Sequence, residues 1–565
     1  MKTAAQDQAC LDRCAALPEN LADAVAAHAL RAPEGVALVE HHTGEVVTWR
    51  AFDRAVDAFA GLLLAKGFRK GDLIATSLPL LKEHVFLLHA CYRVGVVAAP
   101  LDLRLRPGEL AACFQKLRPR GYFFAGAPAL MPVMREVVGT APTVRHWVQF
   151  QKEPQGILPG ATWVKDFTRG IKAAYLLGAL SGRVRRARRL VGRRDGALVI
   201  FTTGSTGSPK AALLSHEGIL AQNAALTVGF GLRDGDRLLV NLPPSHVGCT
   251  TELLGTGVYQ GITSVLLQVF DAERSLEAIA RHRVTVLGQI PALFNLEWSH
   301  RRFGEFDLGS LRLAIYGGQG VPRAFLDRLR AMAPEIGTGL GLTETSGFCT
   351  YTALGAGADD LALGIGFDAP ACRVSIREPM GADGAAGPEK PPGEIGEICF
   401  SGPQVFLGYL DDADATARTI SHEGVCYTGD LGTYGPGGLV LAGRSKLTIK
   451  PKGFQVFPGD VENHVVAALG GRAAAAACVG VEHAVWSEAI VLFVERAAEA
   501  QVTEEEVHQA CHAIASYARP SHVEVVPSGA LPLNRVAKTD YLLLREQAKE
   551  IVAGLRRAGK WDARA

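Results

Sequence analysis

Apolar positions along the chain follow two periods. Residues 36–40 and 46–49 are short apolar runs around the turn His42-Thr43-Gly44 and read as strands. Residues 21–29 and 54–64 place apolar side chains at helical spacing, and Gly67 closes the second run. A strand at 73–77 leads into a helix at 82–94. Further apolar runs lie at 197–201, 237–241, 284–289 and 311–316. A helix opens at Ser215-His216 and runs to 225, and Pro322 starts another that runs to 332. This alternation predicts an α/β fold of layered sheets with helices on their faces.

The texture changes twice towards the C-terminus. Residues 393–409 and 425–442 are short strands with Gly-rich turns, which predicts a small β-subdomain. From 447 onward a separate small α/β unit is expected. Its elements are a helix at 458–469, strands at 475–481 and 490–495, and a helix at 541–548. The capping box Thr503-x-x-Glu506 should open a helix reaching Tyr517. Residues 550–565 read as a loosely held tail. A chain of 565 residues should hold more than one core, since single cores stop growing near ~250–300 residues.

Composition narrows the class. Apolar content of 48% and charged content of 21% are those of an ordinary globular protein. A net charge of +2 gives no global field for nucleic acid. The 11 cysteines are scattered without zinc-like paired spacing, which reads as free thiols in a reducing compartment. Residues 1–6 lack the apolar core of a signal peptide. No apolar run nears the ~20 residues a bilayer span needs. The expected location is the cytoplasm.

The chemistry concentrates after the apolar run 197–201. Thr202-Thr203-Gly204-Ser205-Thr206-Gly207-Ser208-Pro209-Lys210 follows it. Glycines let the backbone approach a ligand, hydroxyls and amides donate, and Lys210 adds positive charge, which makes a cradle for a polyanion. The spacing is not that of a Walker loop. Four more stretches follow: Tyr316-Gly317-Gly318-Gln319-Gly320, Gly339-Leu340-Gly341-Leu342-Thr343-Glu344-Thr345, Tyr427-Thr428-Gly429-Asp430-Leu431, and Gly443-Arg444-Ser445-Lys446 running on to Lys450. Lys538 ends Asn534-Arg535-Val536-Ala537-Lys538. Together, in this order, they resemble the signatures of the adenylate-forming superfamily, which includes acyl-CoA synthetases, coumarate-type CoA ligases, firefly-type luciferases and peptide-synthetase adenylation domains.

The resemblance implies a large N-terminal domain over 1–442, a hinge at 443–446 and a small mobile domain over 447–565. It implies that Thr202, Thr203, Gly204, Ser205, Thr206, Gly207 and Lys210 hold the phosphates of ATP. Gly317, Gly318, Gln319 and Gly341 would pass along adenine and the acyl group. Thr343 would meet a phosphate and Glu344 a Mg²⁺ ion, a carboxylate being the hard oxygen ligand that ion takes. Asp430 and Arg444 would bind the ribose, and His246 in Pro243-Pro244-Ser245-His246 would line or gate the acyl pocket. The small residues Gly248, Gly255 and Gly257 would leave room for a bulky acyl group. Two departures stand out. Leu340 replaces an aromatic that stacks on adenine, and Ala211 replaces a glycine. The run Gly364-Ile365-Gly366-Phe367-Asp368-Ala369 superficially fits a dinucleotide fingerprint, but Pro370 follows at once, so it is not read as one.

The implied activity has two steps. A carboxylate attacks the α-phosphate of ATP with Lys538 in the site, and CoA then attacks the acyl-adenylate after rotation at the hinge brings Lys450 in. The acid is expected to be a fatty acid or another apolar carboxylic acid. The alternatives are an aromatic or alicyclic acid, a carrier protein as acceptor, or a non-catalytic relative. An amino-acid substrate is disfavoured because 242–250 has no acidic residue to bind the amino group. The arginine-rich segment 183–194 reads most plainly as solvated surface, and otherwise as a contact with an anionic membrane or with CoA phosphates. Monomer and dimer are both open.

Overall fold

The computed structural model describes residues 3–202, 209–444, 447–451, 454, 456–534 and 538–562, with backbone alone at 362, 363 and 444. Strand alternation sorts the core into layers. Leu38, Ile74, Leu198, Leu238 and Leu313 join one apolar cluster. Their neighbours Val39, Leu239 and Ala314 point the other way into a second cluster, and Ala75 and Val199 into a third. Successive strand residues alternate faces, so each sheet must be covered on both sides.

Among the described residues one sheet has seven strands, centred on Arg237–Val240, Thr263–Leu266 and Val286–Gln289. Another has eight, centred on Leu73–Ser77, Val97–Pro100 and Gly196–Thr202. The helices Trp49–Ala65, Lys82–Val94 and His216–Gly229 bury residues in the cluster the two sheets share. Ala272–His282, Pro291–Trp298 and Arg323–Met332 cover the outer face of the first sheet. Pro107–Leu117 and Met131–Val137 cover that of the second. Arg93 is buried between helices and pairs with Asp53 and Asp57, each at 2.7 Å. The two carboxylates offset much of the cost of burying this charge.

A four-stranded antiparallel sheet follows, from Arg373–Arg377 to Gly438–Arg444. The last unit holds Ala473–His483 antiparallel to Ser487–Arg496, which runs parallel to His522–Val526. The layered α/β architecture with a smaller C-terminal unit is the one expected.

Three expectations need correction. The helix opened by Thr503 spans only Glu504–Ala510 and breaks into 3₁₀ turns at Cys511–Ala513 and Ser516–Ala518. Residues 550–562 are not a loose tail, because the helix runs Tyr541–Arg557. Trp561 is buried beyond it, against Leu544, Ala548 and Val552. Its Nε1 donates to the Glu482 carbonyl at 3.0 Å. Third, Gly255 and Gly257 do not open a pocket. A Cβ on Gly255 would meet the Thr250 carbonyl at 3.1 Å, and one on Gly257 would meet Ser264 Oγ at 2.4 Å. These glycines pack backbone against neighbours.

Candidate active site

The strand Leu313–Tyr316 delivers Gly317 and Gly318 at its carboxyl end, where open α/β sheets place ligands. Gly318 has φ +96, a conformation other residues rarely adopt. A Cβ there would lie 3.0 Å from Lys538 Cε and 3.4 Å from its Nζ. The C-terminal unit thus presents Lys538 to the glycine turn. Gln319 is exposed beside it.

His246 follows the strand Arg237–Val240, two places along the same sheet, and precedes a π-helical turn over Gly248–Gly255, a distortion frequent at functional sites. Its Nδ1 accepts from the Gly248 amide at 3.0 Å, so a neutral ring carries its proton on Nε2. Burial, and then the charge of Lys538, lower its pKa to about 4. His246 is therefore a neutral donor near pH 7, not a cation.

Glu252 stands one turn further on. Burial pushes its carboxyl up to about 7, against the opposing effects of Lys538 and of the Phe348 amide. Gly347, at φ +130, makes room for it, since a Cβ there would lie 2.8 Å from Glu252 Cγ. Glu252 lies two residues past the stretch 242–250, which has no acidic residue. Its sequence signal is a lone carboxylate in a run otherwise free of Asp, Glu, Lys and Arg.

The metal candidate is held by a tyrosine that the motifs did not name. Tyr409 Oη donates to Glu344 Oε1 at 2.7 Å. Lys210 Nζ lies 4.7 Å from the centroid of the same ring. Glu344 begins a 3₁₀ turn with Thr343, and Phe406 N donates to the Glu344 carbonyl at 2.8 Å. Thr343 and Glu344 are partly buried, and Gly341 is exposed on the short strand before them.

The loop of Thr203, Gly204, Ser205, Thr206 and Gly207 lies outside the described residues, as do Ser445 and Lys446 of the expected hinge and the Arg444 side chain. The ends of the loop are described: Thr202 pairs with Lys210 across the hairpin. Asp430 is buried and opposite Arg444 in the register of the β-subdomain. Leu340 is partly buried and packs on a cluster that includes Cys349, Val374 and Leu439. Lys450 lies elsewhere. Its amide donates to Glu488 Oε2 at 2.7 Å and its side chain is exposed. Among the described residues no cluster of three or more His, Cys, Asp or Glu could hold a metal. Glu344 alone fits an ion such as magnesium, which commonly takes one or two carboxylates and fills its shell with phosphate oxygens and water.

Comparison with known proteins decides the family. The pattern of the AMP-binding enzyme family matches residues 25–410, and that of the AMP-binding enzyme C-terminal domain matches 461–538. The chain belongs to the AMP-binding enzymes. It is 27% identical over 561 residues to the medium-chain fatty-acid–CoA ligase of Escherichia coli, covering 93% of this chain and 90% of that one. It is 31% identical over 417 residues to the indoleacetate–CoA ligase of Aromatoleum aromaticum, covering 72% and 75%. A solved Mycobacterium tuberculosis fatty acyl CoA synthetase superposes with a TM-score of 0.69 at 24% identity, covering 94% of this chain and 99% of that one.

Proposed function

We propose that this AMP-binding enzyme joins an apolar carboxylic acid to CoA through an acyl-adenylate. The chain is an AMP-forming acid–thiol ligase. The observation that supports the reading best is Lys538 at the Gly317-Gly318 turn, beside His246 and Glu252. Adenylation brings a carboxylate anion against a polyphosphate anion, so its main requirements are positioning and charge neutralisation. Lys538 would contact the acyl carboxylate and the α-phosphate, lowering the repulsion as the new bond forms and pyrophosphate leaves. Lys210 would neutralise the outer phosphates. Thr343 would donate to a phosphate oxygen, and Asp430 with Arg444 would take the ribose hydroxyls. His246, neutral with its proton on Nε2, would orient the acid without competing with Lys538 for charge.

Magnesium bound through Glu344 would supply further positive charge on the phosphates. Tyr409 holds that carboxylate in a fixed orientation. In the second step the C-terminal unit would turn at 443–446, withdraw Lys538 and present Lys450 to the adenylate while the CoA thiol attacks. The acid would be a fatty acid or similar, with aromatic and alicyclic acids as the alternatives.

The test is a panel of fatty, aromatic and alicyclic acids assayed for pyrophosphate release with ATP and magnesium, and for AMP release with and without CoA. An apolar acid that gives CoA-dependent AMP release supports the proposal. Pyrophosphate release with no thioester would turn it to another acceptor, and no release with any acid would overturn it.

A further inference from the structure

The helix Ile171–Ser181 is packed with its leucines outward. Its inward side combines the small residues Ala174 and Gly178 with half-buried Ile171 and Tyr175. A Cβ on Gly61 of the helix Trp49–Ala65 would lie 2.8 Å from the Ala174 carbonyl, and one on Gly178 would lie 3.9 Å from Gly61 Cα. Close approach along Gly61, Ala174 and Gly178 fixes which side faces the protein. The leucines are left on the other side, with Leu176 58%, Leu177 66% and Leu180 86% exposed. At 100° per residue these three fall within one third of the helix circumference. Burial of apolar area is the main driving force of folding, so leucines held outward by a built seam call for something to cover them.

The next helix, Arg183–Arg189, supplies the charge. Val184 anchors it against Gly178, 3.2 Å from where a Cβ there would lie. Four arginines of the segment have partners in the protein. Arg183 donates to the Leu64 carbonyl, Arg188 pairs with Asp23, Arg193 donates to the Leu17 carbonyl, and Arg194 pairs with Glu217. Arg185, Arg186 and Arg189 are exposed and have no acidic partner among the described residues. The guanidinium groups of Arg185 and Arg186 come within 3.5 Å of the point beside Gly182 where a Cβ would sit, so they flank the Leu180 end of the apolar face. Leu190, at the end of the arginine helix, is 68% exposed and adds a further outward leucine. From 171 to 194 the sequence has no Asp or Glu.

We propose that this face docks the enzyme on an anionic phospholipid bilayer. Leu176, Leu177, Leu180 and Leu190 enter the boundary between headgroups and acyl chains, and Arg185, Arg186 and Arg189 meet lipid phosphates and carboxylates. Outward leucines flanked by basic side chains are the arrangement of an interfacial helix lying in the membrane plane. The charge on this one face contrasts with the near-neutral whole chain, so the partner must be anionic as well as apolar. The surface is separate from Lys538, Glu344 and His246, so docking does not depend on which acid the site accepts.

Vesicle co-sedimentation of the full chain tests this, with phosphatidylcholine alone and with phosphatidylserine added. Binding is expected only to the phosphatidylserine vesicles, and it should fall as salt rises. The double variants Leu177→Ser with Leu180→Ser, and Arg185→Glu with Arg186→Glu, should each weaken binding at least about tenfold. Both should keep the melting temperature and the wild-type rate of pyrophosphate release with a water-soluble acid. Absence of binding at low salt, or equal binding by the variants, would overturn the proposal. So would a dimer in light scattering that the leucine variant abolishes, since the face would then belong to a second copy of the chain.

Discussion

Tyr409 donates its hydroxyl hydrogen to Glu344 Oε1 at 2.7 Å, and the same ring lies under Lys210 Nζ. One side chain thereby fixes the distance between the proposed metal ligand and a proposed phosphate-binding lysine. Neither the hydroxyl nor the ring face is replaceable without loss.

Tyr409→Phe keeps the ring under Lys210 and removes the hydrogen bond to a charged group. Such bonds contribute about 1.5–3 kcal/mol. Pyrophosphate release should fall about tenfold and need more magnesium to saturate. Glu344→Gln should fall further, by about 10²-fold, in the range seen when one charge-stabilising group is removed. Rates measured across a magnesium titration check both, and a full rate in either variant would contradict the arrangement.

Glu252 should give stability a pH dependence of known sign. Its carboxyl titrates near 7 in the folded protein against an ordinary 4.5. The folded state therefore holds this proton more tightly than the unfolded state does. The contribution is fully present below about 4.5 and lost as pH rises through 7. Glu252→Gln cannot ionise, so the variant should gain on wild type between pH 5 and pH 8 in thermal melts. A difference that stays constant across that range would mean that Glu252 does not hold its proton up to about 7.

Trp561→Ala should destabilise the C-terminal unit by about 3–5 kcal/mol, the usual cost of removing a buried tryptophan. Chemical denaturation followed by tryptophan-independent circular dichroism reads this. Less than about 1 kcal/mol would return the last residues to the loose tail that their polarity suggests.

That reversal illustrates what the sequence could show. Residues 550–565 carry four arginine or lysine residues, and the single anchoring Trp561 makes no period. Its burial depends on a tertiary contact with Glu482 and His483, 78 or more residues away. The same limit explains Gly255 and Gly257, whose neighbours Thr250, Asn223 and Ser264 are known only once the helices are packed. Strands such as Leu73–Ser77 were legible because burial on both faces leaves a continuous apolar run. The helix at 503 was read too long because its capping box marks a start and says nothing about an end. Lys210, Glu344 and Asp430 lie within ordered motifs, which is what makes them candidates from sequence. Glu252 and Tyr409 were not candidates, because they reach the site from a π-helical turn and from a two-residue strand that carry no motif.

Lys538 and Lys450 are proposed to act in different half-reactions. The structure has Lys538 at Gly318 and Lys450 exposed beside Glu488. A group that contacts one transition state should slow that step and spare the other. The direct measurement is each half-reaction alone, in Lys538→Ala and Lys450→Ala: pyrophosphate release from acid and ATP, and thioester formation from supplied acyl-adenylate and CoA. Lys538→Ala should lose about 10²–10³-fold in the first and little in the second, and Lys450→Ala the reverse. Equal loss in both half-reactions for both variants would contradict the account.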